Sequence, residues 1–526
     1  PDLWARYSAG PGFLDALASG RSPRAVWAAL PGSRWPAEVA AAVAATARSG
    51  RGALVIVPDA RDLDRVEAAL SAAPGAGRHL ILSAQLGPAE RYRRWLAVRR
   101  GQVRVVAGTR SAAFAPVADL GLVVIWDDGD DLHAEPRAPY PHAREVLLLR
   151  AHRTGAGALI GGFARTAEAE HLLATGWARP LTAARPVVRG YAPMVRTAGD
   201  DAELARDEAA RSARMPSLAL RTAREALADG PVLFQVPRRG YLAAVACQQC
   251  GTRASCARCR GPVALPGPGQ PPRCGWCGTP AGRGCGSCGG TELRALVTGE
   301  RRTAEELARA FPGVTVRTSS GAGVLASVPA TPALVIATPG AGPAAAGGYA
   351  AAVLLDAWAL LGRPSLRAAE EALRRWLNAA ALVRPGPAGG RVVLMAEPGL
   401  AAVQALIRWD PATHAARELA EREELGFPPA VRMAAVTGPA AETAELRTSV
   451  PLPPSAEILG PVPAGHADHD QDHDGDSGPE LVRYLVRTPW PDGLALAAAL
   501  RSWLAGRSAR KAGGQVRLQI DPAELI

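Results

Sequence analysis

The sequence predicts an α/β protein of two doubly wound, parallel-sheet units, with a cysteine-rich insert in the second and a small α+β unit at the C-terminal end. Three observations carry this prediction. Short apolar strands alternate with helices along two long stretches. All eight cysteines lie between Cys247 and Cys288. After about residue 401 the alternation gives way to a charged helix and well-separated strands. The 526 residues allow three or four domains, and 48% hydrophobic residues suffice to fill their cores.

In the first unit, residues 24–50 read as helix, AVWAAL and then PAEVAAAVAATARSG, broken at Pro31-Gly32. ALVIVPD (53–59) reads as a buried strand, and RDLDRVEAAL as an amphipathic helix with Leu63, Val66 and Leu70 on one face. HLILSAQ, VRVVAGT (103–109), GLVVIWDD (121–128) and GALIGG (157–162) read as further strands, with the helix PAERYRRWLAVRR after the first of them. Ligands of such sheets sit at the C-terminal strand ends. Those ends are Pro58-Asp59, Gly108-Thr109-Arg110 and Asp127-Asp128. The second unit has strands PVLFQVP (231–237), GVTVRTS (313–319), ALVIATP (333–339), AAVLLD (351–356) and RVVLMAE (391–397). The last unit carries the helix ARELAEREELG and the segments GFPPAVRMAAV, ELVRYLVRT and QVRLQIDP; HADHDQDHDGD (466–476) reads as a solvated loop.

The chain is basic, with net charge +11, yet Lys511 is its only lysine among 60 basic residues. A GxxxxGK[ST] phosphate loop, a kinase-type lysine and a Schiff-base lysine before the extreme C-terminus are therefore excluded. Arginine suits bidentate phosphate recognition, so nucleic acid is a fair partner. No transmembrane helix and no signal peptide are expected.

The cysteines form four CxxC pairs, Cys247/Cys250, Cys256/Cys259, Cys274/Cys277 and Cys285/Cys288, with glycine directly after three of them. Two such pairs complete a closed tetrahedral four-thiolate site, so eight thiols predict two structural zinc ions. A disulfide knot, iron–sulfur ligation and a redox CxxC fit the size, spacing and fourfold repetition less well. Adjacent pairs can share a metal, or the pairs can nest, with Cys247, Cys250, Cys285 and Cys288 on one ion and Cys256, Cys259, Cys274 and Cys277 on the other. The intervening GPVALPGPGQPPRCG cannot build a core, so metal binding supplies most of the folding free energy of the insert, on the order of 10 kcal/mol per site.

VPRRGYLAAVACQQCG, the following CARC, CGWCG and CGSCG, and GERRTAEELARAFPGVTVR together resemble the zinc-bearing second lobe of the PriA (primosomal protein N-prime) replication restart helicase family. GTRSAAFAPVADLGLVVIWDDGDD looks like the family's stretch from GTRSA to its DEEH box, and LGFPPAVRMAAV and ILGPVPA look like parts of its C-terminal domain. The resemblance covers most of residues 24–526. It implies two RecA-like lobes of the superfamily 2 type and nested cysteine pairs. It divides the chain into a first lobe at 1–185, a second at 186–246 and 290–405, a zinc insert at 247–289 and a C-terminal domain at 406–526. The family's N-terminal domain, which binds 3′ DNA ends, is expected to be absent from this chain.

Departures from the family concentrate on phosphoryl transfer. LPGSRWPAEV (30–39) stands where the P-loop belongs, with Pro36 near the place of the lysine. The DEEH box reads Asp127-Asp128-Gly129-Asp130. GGFARTAEA (161–169) replaces the TATPS-like stretch, and IATPGAGPAAAGGY (336–349) the GTQM-type loop. LNAAALVRPG (377–386) replaces the VAGRAGR finger motif and leaves Arg384 alone. Asp127 and Asp128 thus read as relics, and ATP and Mg²⁺ binding is doubtful. The expectation is a replication restart protein that binds forked DNA and helps reload the replicative helicase without ATP-driven unwinding; the alternative is an active 3′-to-5′ helicase with atypical motifs. Candidate DNA contacts are Thr109, Arg110, Ser111, Arg238 and Arg239, with an arginine-dense stretch from Arg91 to Arg110 reading as a solvated face. Trp126 reads as core. By resemblance the partners are DNA, single-stranded DNA-binding protein and the replicative helicase or its loader, for a monomer in the cytoplasm at the nucleoid.

Overall fold

Seven parallel strands form the N-terminal lobe: β1 (Arg24–Ala28), β2 (Gly52–Ile56), β3 (His79–Leu82), β4 (Val105–Gly108), β5 (Leu120–Trp126), β6 (Gly157–Gly162) and β7 (Arg179–Leu181), in the order β3-β4-β2-β5-β6-β1-β7. The computed structural model describes residues 3–198, 215–237, 244–250, 252–265, 271–282, 284–295, 299–321, 323–464 and 481–525. Strands β2, β5 and β6 are buried along their whole length, as expected of parallel strands covered by helices on both faces.

One expectation is corrected here. Residues 24–28 are a strand, not helix, and only Trp35–Arg48 is helical. A short apolar run has no period that separates a buried strand from a buried helix. The extended form inserts AVWA between β6 and β7, where Val26 and Trp27 are buried on opposite faces. Edge strand β7 and the strand Met194–Thr197 gave no apolar signal, because their residues are partly exposed.

The second lobe is a six-stranded, all-parallel sheet. Its order is Val316–Ser319, Leu334–Ala337, Val232–Gln235, Ala351–Leu354, Arg391–Leu394 and Met194–Thr197. Both lobes are thus of the expected doubly wound α/β kind. One buried apolar cluster contains residues of both, from Val55 and Trp126 to Trp376 and Leu377. The C-terminal region is a four-stranded antiparallel sheet backed by Gly493–Ala509, with Leu496, Leu500 and Trp503 in its core. Among the described residues no helix is long and apolar enough to cross a membrane.

Candidate functional site

The cysteine insert leaves the second lobe on one antiparallel ladder and contains another. Val245–Cys247 pairs with Leu293–Ala295, and Val263–Ala264 pairs with Arg273–Cys274. The outer ladder draws the first and last CxxC turns together, and the inner ladder the middle two. The sulfurs of Cys247, Cys250, Cys285 and Cys288 lie within 4.8 Å of one another, as do those of Cys256, Cys259, Cys274 and Cys277. Individual Sγ···Sγ distances include 3.5 Å for Cys247–Cys288 and 3.4 Å for Cys259–Cys274. A tetrahedral ion with metal–sulfur bonds of about 2.3 Å needs a spacing of about 3.8 Å. No disulfide joins these sulfurs. Backbone N–H groups point at three of them: Gly261 at Cys259 (3.4 Å), Trp276 at Cys274 (3.3 Å) and Ser287 at Cys285 (3.4 Å). Such donors stabilise thiolates, so each set of four fits one tetrahedral metal ion. The insert is tied to the second lobe where Trp276 Nε1 donates to Gly362 O (2.7 Å) and Arg253 lies over the ring of Trp358.

A second site lies at the C-terminal ends of β1 and β5. In place of a phosphate loop, the connection after β1 ends in Trp35, whose ring stacks on Trp126 at 4.1 Å and 4°. Phe163 meets Trp126 edge-on and Trp27 tilts against it, so four aromatic rings fill the space above the strand ends. Pro36 at the start of Trp35–Arg48 has no N–H to offer an anion.

Directly after Trp126 the chain turns at Asp127 with φ 53. The Asp127 carboxylate accepts 2.7 Å hydrogen bonds from Arg374 Nη1 and Asn378 Nδ2, both on the second-lobe helix Ala368–Ala380. Arg374 Nη1 also donates to Asp130 Oδ2 at 3.0 Å, and Arg375 pairs with Asp131. Asp128 accepts from Arg144 (2.9 Å) and from the Thr166 hydroxyl (2.8 Å). Glu168 pairs with Arg367, and Glu370 accepts from the Ala167 N–H and pairs with Arg422. Gly129 makes room for this arrangement: an added Cβ would lie 2.9 Å from Thr166 Cγ2 and 3.1 Å from Arg374 Cδ.

These charges are buried, and the environment splits them. Burial pushes Asp127 up from the ordinary carboxylate range, opposed by the Arg374 guanidinium. Burial also raises Glu168, but Arg367 and Arg144 outweigh it and hold that carboxyl well below the usual range. Arg374 is raised well above its ordinary value because Asp127, Glu371 and Asp130 overcome its burial. Asp127 and Asp128 are each engaged at Oδ2, by Arg374 and Asn378 and by Arg144 and Thr166 respectively.

The remaining predicted positions scatter. Thr109 and Ser111 follow β4, with Ser111 exposed. The Arg110 guanidinium is turned inward, donating to Glu135 Oε2 (3.1 Å), Leu132 O and Ala134 O (2.9 Å each), where it staples the loop after the acidic box. Arg238 and Arg239, and the loop at 466–476, lie outside the described residues. On helix Pro88–Arg99, Arg93 and Arg94 pair with Glu90, whereas Arg91 and Arg99 are exposed, as is Tyr92 at 64%. Arg384 donates to Asp229 O (2.6 Å), away from Asp127. Trp126 is core, as expected. Sequence reasoning missed Arg374 and Asn378. The signal was EEALRRWLN (370–378), where Arg374, Arg375 and Asn378 follow Glu370 and Glu371 at helical spacing.

Residues 423–523 match the family model described as Primosomal protein N C-terminal domain. The chain is 52% identical to the "Probable replication restart protein PriA" of Mycobacterium tuberculosis strain H37Rv, over 100% of this chain and 82% of that protein. It is likewise 52% identical to the protein of that description from Mycobacterium leprae, over 100% of this chain and 81% of that one. Among solved structures it is similar to S. cerevisiae Dbp5 bound to RNA and ADP BeF3, at 8% identity, TM-score 0.41, covering 76% of this chain and 89% of that one. The chain belongs to the PriA replication restart protein family.

Proposed function

We propose that this chain is a DNA-binding scaffold of replication restart that holds two structural zinc ions and has lost ATP-driven unwinding. The observation that carries the proposal is the state of the cleft: Trp35 stacks on Trp126 where phosphates would lie, and Arg374 and Asn378 hold the carboxylate that would meet Mg²⁺. ATP does not fit these residues. A nucleotide would have to displace a buried aromatic stack and break a buried ion pair, with no lysine to offer in return. In this reading residues 1–185 and 186–246 with 290–405 are the two lobes, 247–289 the zinc insert and 406–526 the C-terminal domain.

The net charge of +11 and the exposed Arg91, Arg99 and Ser111 support a forked or branched DNA partner. Single-stranded DNA-binding protein and the replicative helicase or its loader are the proposed protein partners. Isothermal titration with ATP and Mg²⁺, followed by hydrolysis assays on forked DNA, tests the reading. No heat and no turnover are expected, while forked DNA binds with an affinity that falls steeply with salt. Turnover that Asp127→Ala abolishes would overturn the scaffold reading in favour of an active helicase. A flat salt profile would overturn the arginine–phosphate contacts.

A further inference from the structure

The four CxxC turns share one backbone hydrogen bond. In each, the N–H of the first cysteine donates to the carbonyl five residues on: Cys247 to Thr252 (2.9 Å), Cys256 to Gly261 (2.8 Å), Cys274 to Thr279 (2.9 Å) and Cys285 to Gly290 (2.8 Å). This bond fixes the fifth residue beside the second sulfur of its turn. In each cluster of four sulfurs, that residue is threonine in one turn and glycine in the other.

Each of these two glycines faces the opposite turn. A Cβ on Gly261 would lie 2.7 Å from the ring of Trp276, and one on Gly290 would lie 2.6 Å from Gln249 Oε1. Trp276 sits between Cys274 and Cys277, and Gln249 between Cys247 and Cys250, so each belongs to the partner turn of the same cluster. At Gly261 the indole ring excludes a side chain, whereas at Gly290 a Cβ would crowd the end of the Gln249 side chain and lie 3.1 Å from Cys247 Sγ. Where the fifth residue is threonine, a hydroxyl reaches sulfur: Thr252 Oγ1 lies 3.3 Å from Cys250 Sγ, and Thr279 Oγ1 lies 3.1 Å from Cys277 Sγ. Cys250 and Cys277 are both exposed, as is Cys288 in the first cluster.

We propose that Thr252 and Thr279 are positioning residues of the two metal sites, each donating its hydroxyl hydrogen to an exposed thiolate of a loaded cluster, Cys250 and Cys277 respectively. A metal-bound sulfur is a thiolate and only an acceptor, so the hydroxyl is the donor. A hydrogen bond to a charged acceptor draws electron density off the sulfur and makes it a poorer nucleophile. The threonines thereby shield Cys250 and Cys277, while Cys288, exposed in the glycine-bearing turn of the first cluster, has no such threonine. Each cluster has one turn with a hydroxyl and one with a glycine, and in the second cluster the Trp276 ring demands that glycine. This inference stands apart from the DNA and ATP readings above.

The test uses the full chain loaded with zinc, with the metal content measured first. N-ethylmaleimide is added in fixed excess with a metallochromic dye, and Thr252→Val and Thr279→Val are compared with Thr252→Ser and Thr279→Ser. Thr279→Val is expected to release one equivalent of zinc about tenfold faster than wild type, the scale of one charge-assisted hydrogen bond, and Thr252→Val to show a smaller gain, because exposed Cys288 already opens that cluster. Peptide mapping is expected to place the first adduct on Cys250 or Cys277, and serine to restore the slow rate. Valine variants that release zinc at the wild-type rate, or serine variants as fast as valine, overturn the proposal. If a valine variant holds fewer than two ions as purified, full loading of its serine counterpart supports the hydroxyl donor, and loss in both overturns it.

Discussion

Arg374 in the second lobe and Asp127 in the first share a 2.7 Å ion pair in which both side chains are almost wholly buried. A buried pair contributes little over a well-packed apolar replacement, but removing one partner strands the other charge. Arg374→Met is therefore expected to destabilise the chain by about 3–5 kcal/mol, leaving Asp127 buried and unneutralised. Adding Asp127→Asn is expected to recover part of that loss, because the most buried of the stranded carboxylates is then uncharged, while Asp130 and Glu371 still lack Arg374. Urea midpoints of the two single variants and the double variant check this. Additive losses would remove the pair as the brace between the lobes.

The Trp35–Trp126 stack makes a second prediction. Trp35 is 3% exposed and its ring is parallel to that of Trp126. Trp35→Ala is expected to cost about 3–5 kcal/mol through the cavity it leaves. Trp35→Phe keeps a ring against Trp126 and is expected to cost markedly less. The opened cavity should still bind no nucleotide, since Pro36 and the engaged Asp127 remain. Thermal unfolding and an ATP titration on Trp35→Ala check both halves, and ATP binding there would show that the tryptophan alone closes the cleft.

Much of this architecture is legible in the chain because burial writes itself into composition. Strands such as ALVIV and LVVIW have both faces covered, so they read as unbroken apolar runs. AVWAAL has the same property but itself contains three alanines and precedes an alanine-rich helix, and nothing local distinguishes a short buried strand there from the first turns of a helix. The metal clusters are legible because four CxxC turns in one insert leave few alternatives. Nesting was not derivable from the spacing alone and follows from the two ladders. The interlobe pair was not legible, because Arg374 is 247 positions from Asp127 and in sequence looks like one more arginine on a charged helix. Gly129 was readable as a loss, yet its space is filled by Thr166 and Arg374, so the loss is part of the brace.

The nested ladders predict how zinc is lost. With nested clusters, Cys247 and Cys285 serve the same ion. The double variant Cys247→Ser/Cys285→Ser should then retain one zinc per chain, bound by Cys256, Cys259, Cys274 and Cys277. Adjacent pairing would place Cys247 and Cys285 on different ions and leave none. Elemental analysis of the purified double variant distinguishes the two arrangements. Chelation of both ions is expected to unfold the insert, whose few apolar contacts cannot hold it without metal.

A pH effect follows from Glu38, on helix Trp35–Arg48. Glu38 is 2% exposed and accepts the Tyr7 hydroxyl at 3.2 Å, and among the described residues no ion pair joins it. Burial pushes its carboxyl up from 4.5 to about 7, with the Tyr7 hydrogen bond and the charges of Arg6 and Arg34 only partly opposing. A folded value above the unfolded one means that the native state holds its proton longer. The stability Glu38 contributes is then fully present below about pH 4.5 and is lost as pH rises to about 7, with no further change above. Integrated over that window, the loss is at most about 3 kcal/mol. Glu38→Gln cannot ionise, so the difference in urea midpoint between wild type and this variant should shift against wild type from about pH 5 to about pH 8. A difference that stays constant across that range would show that Glu38 ionises in the native state as it does in water, and that burial does not hold its proton.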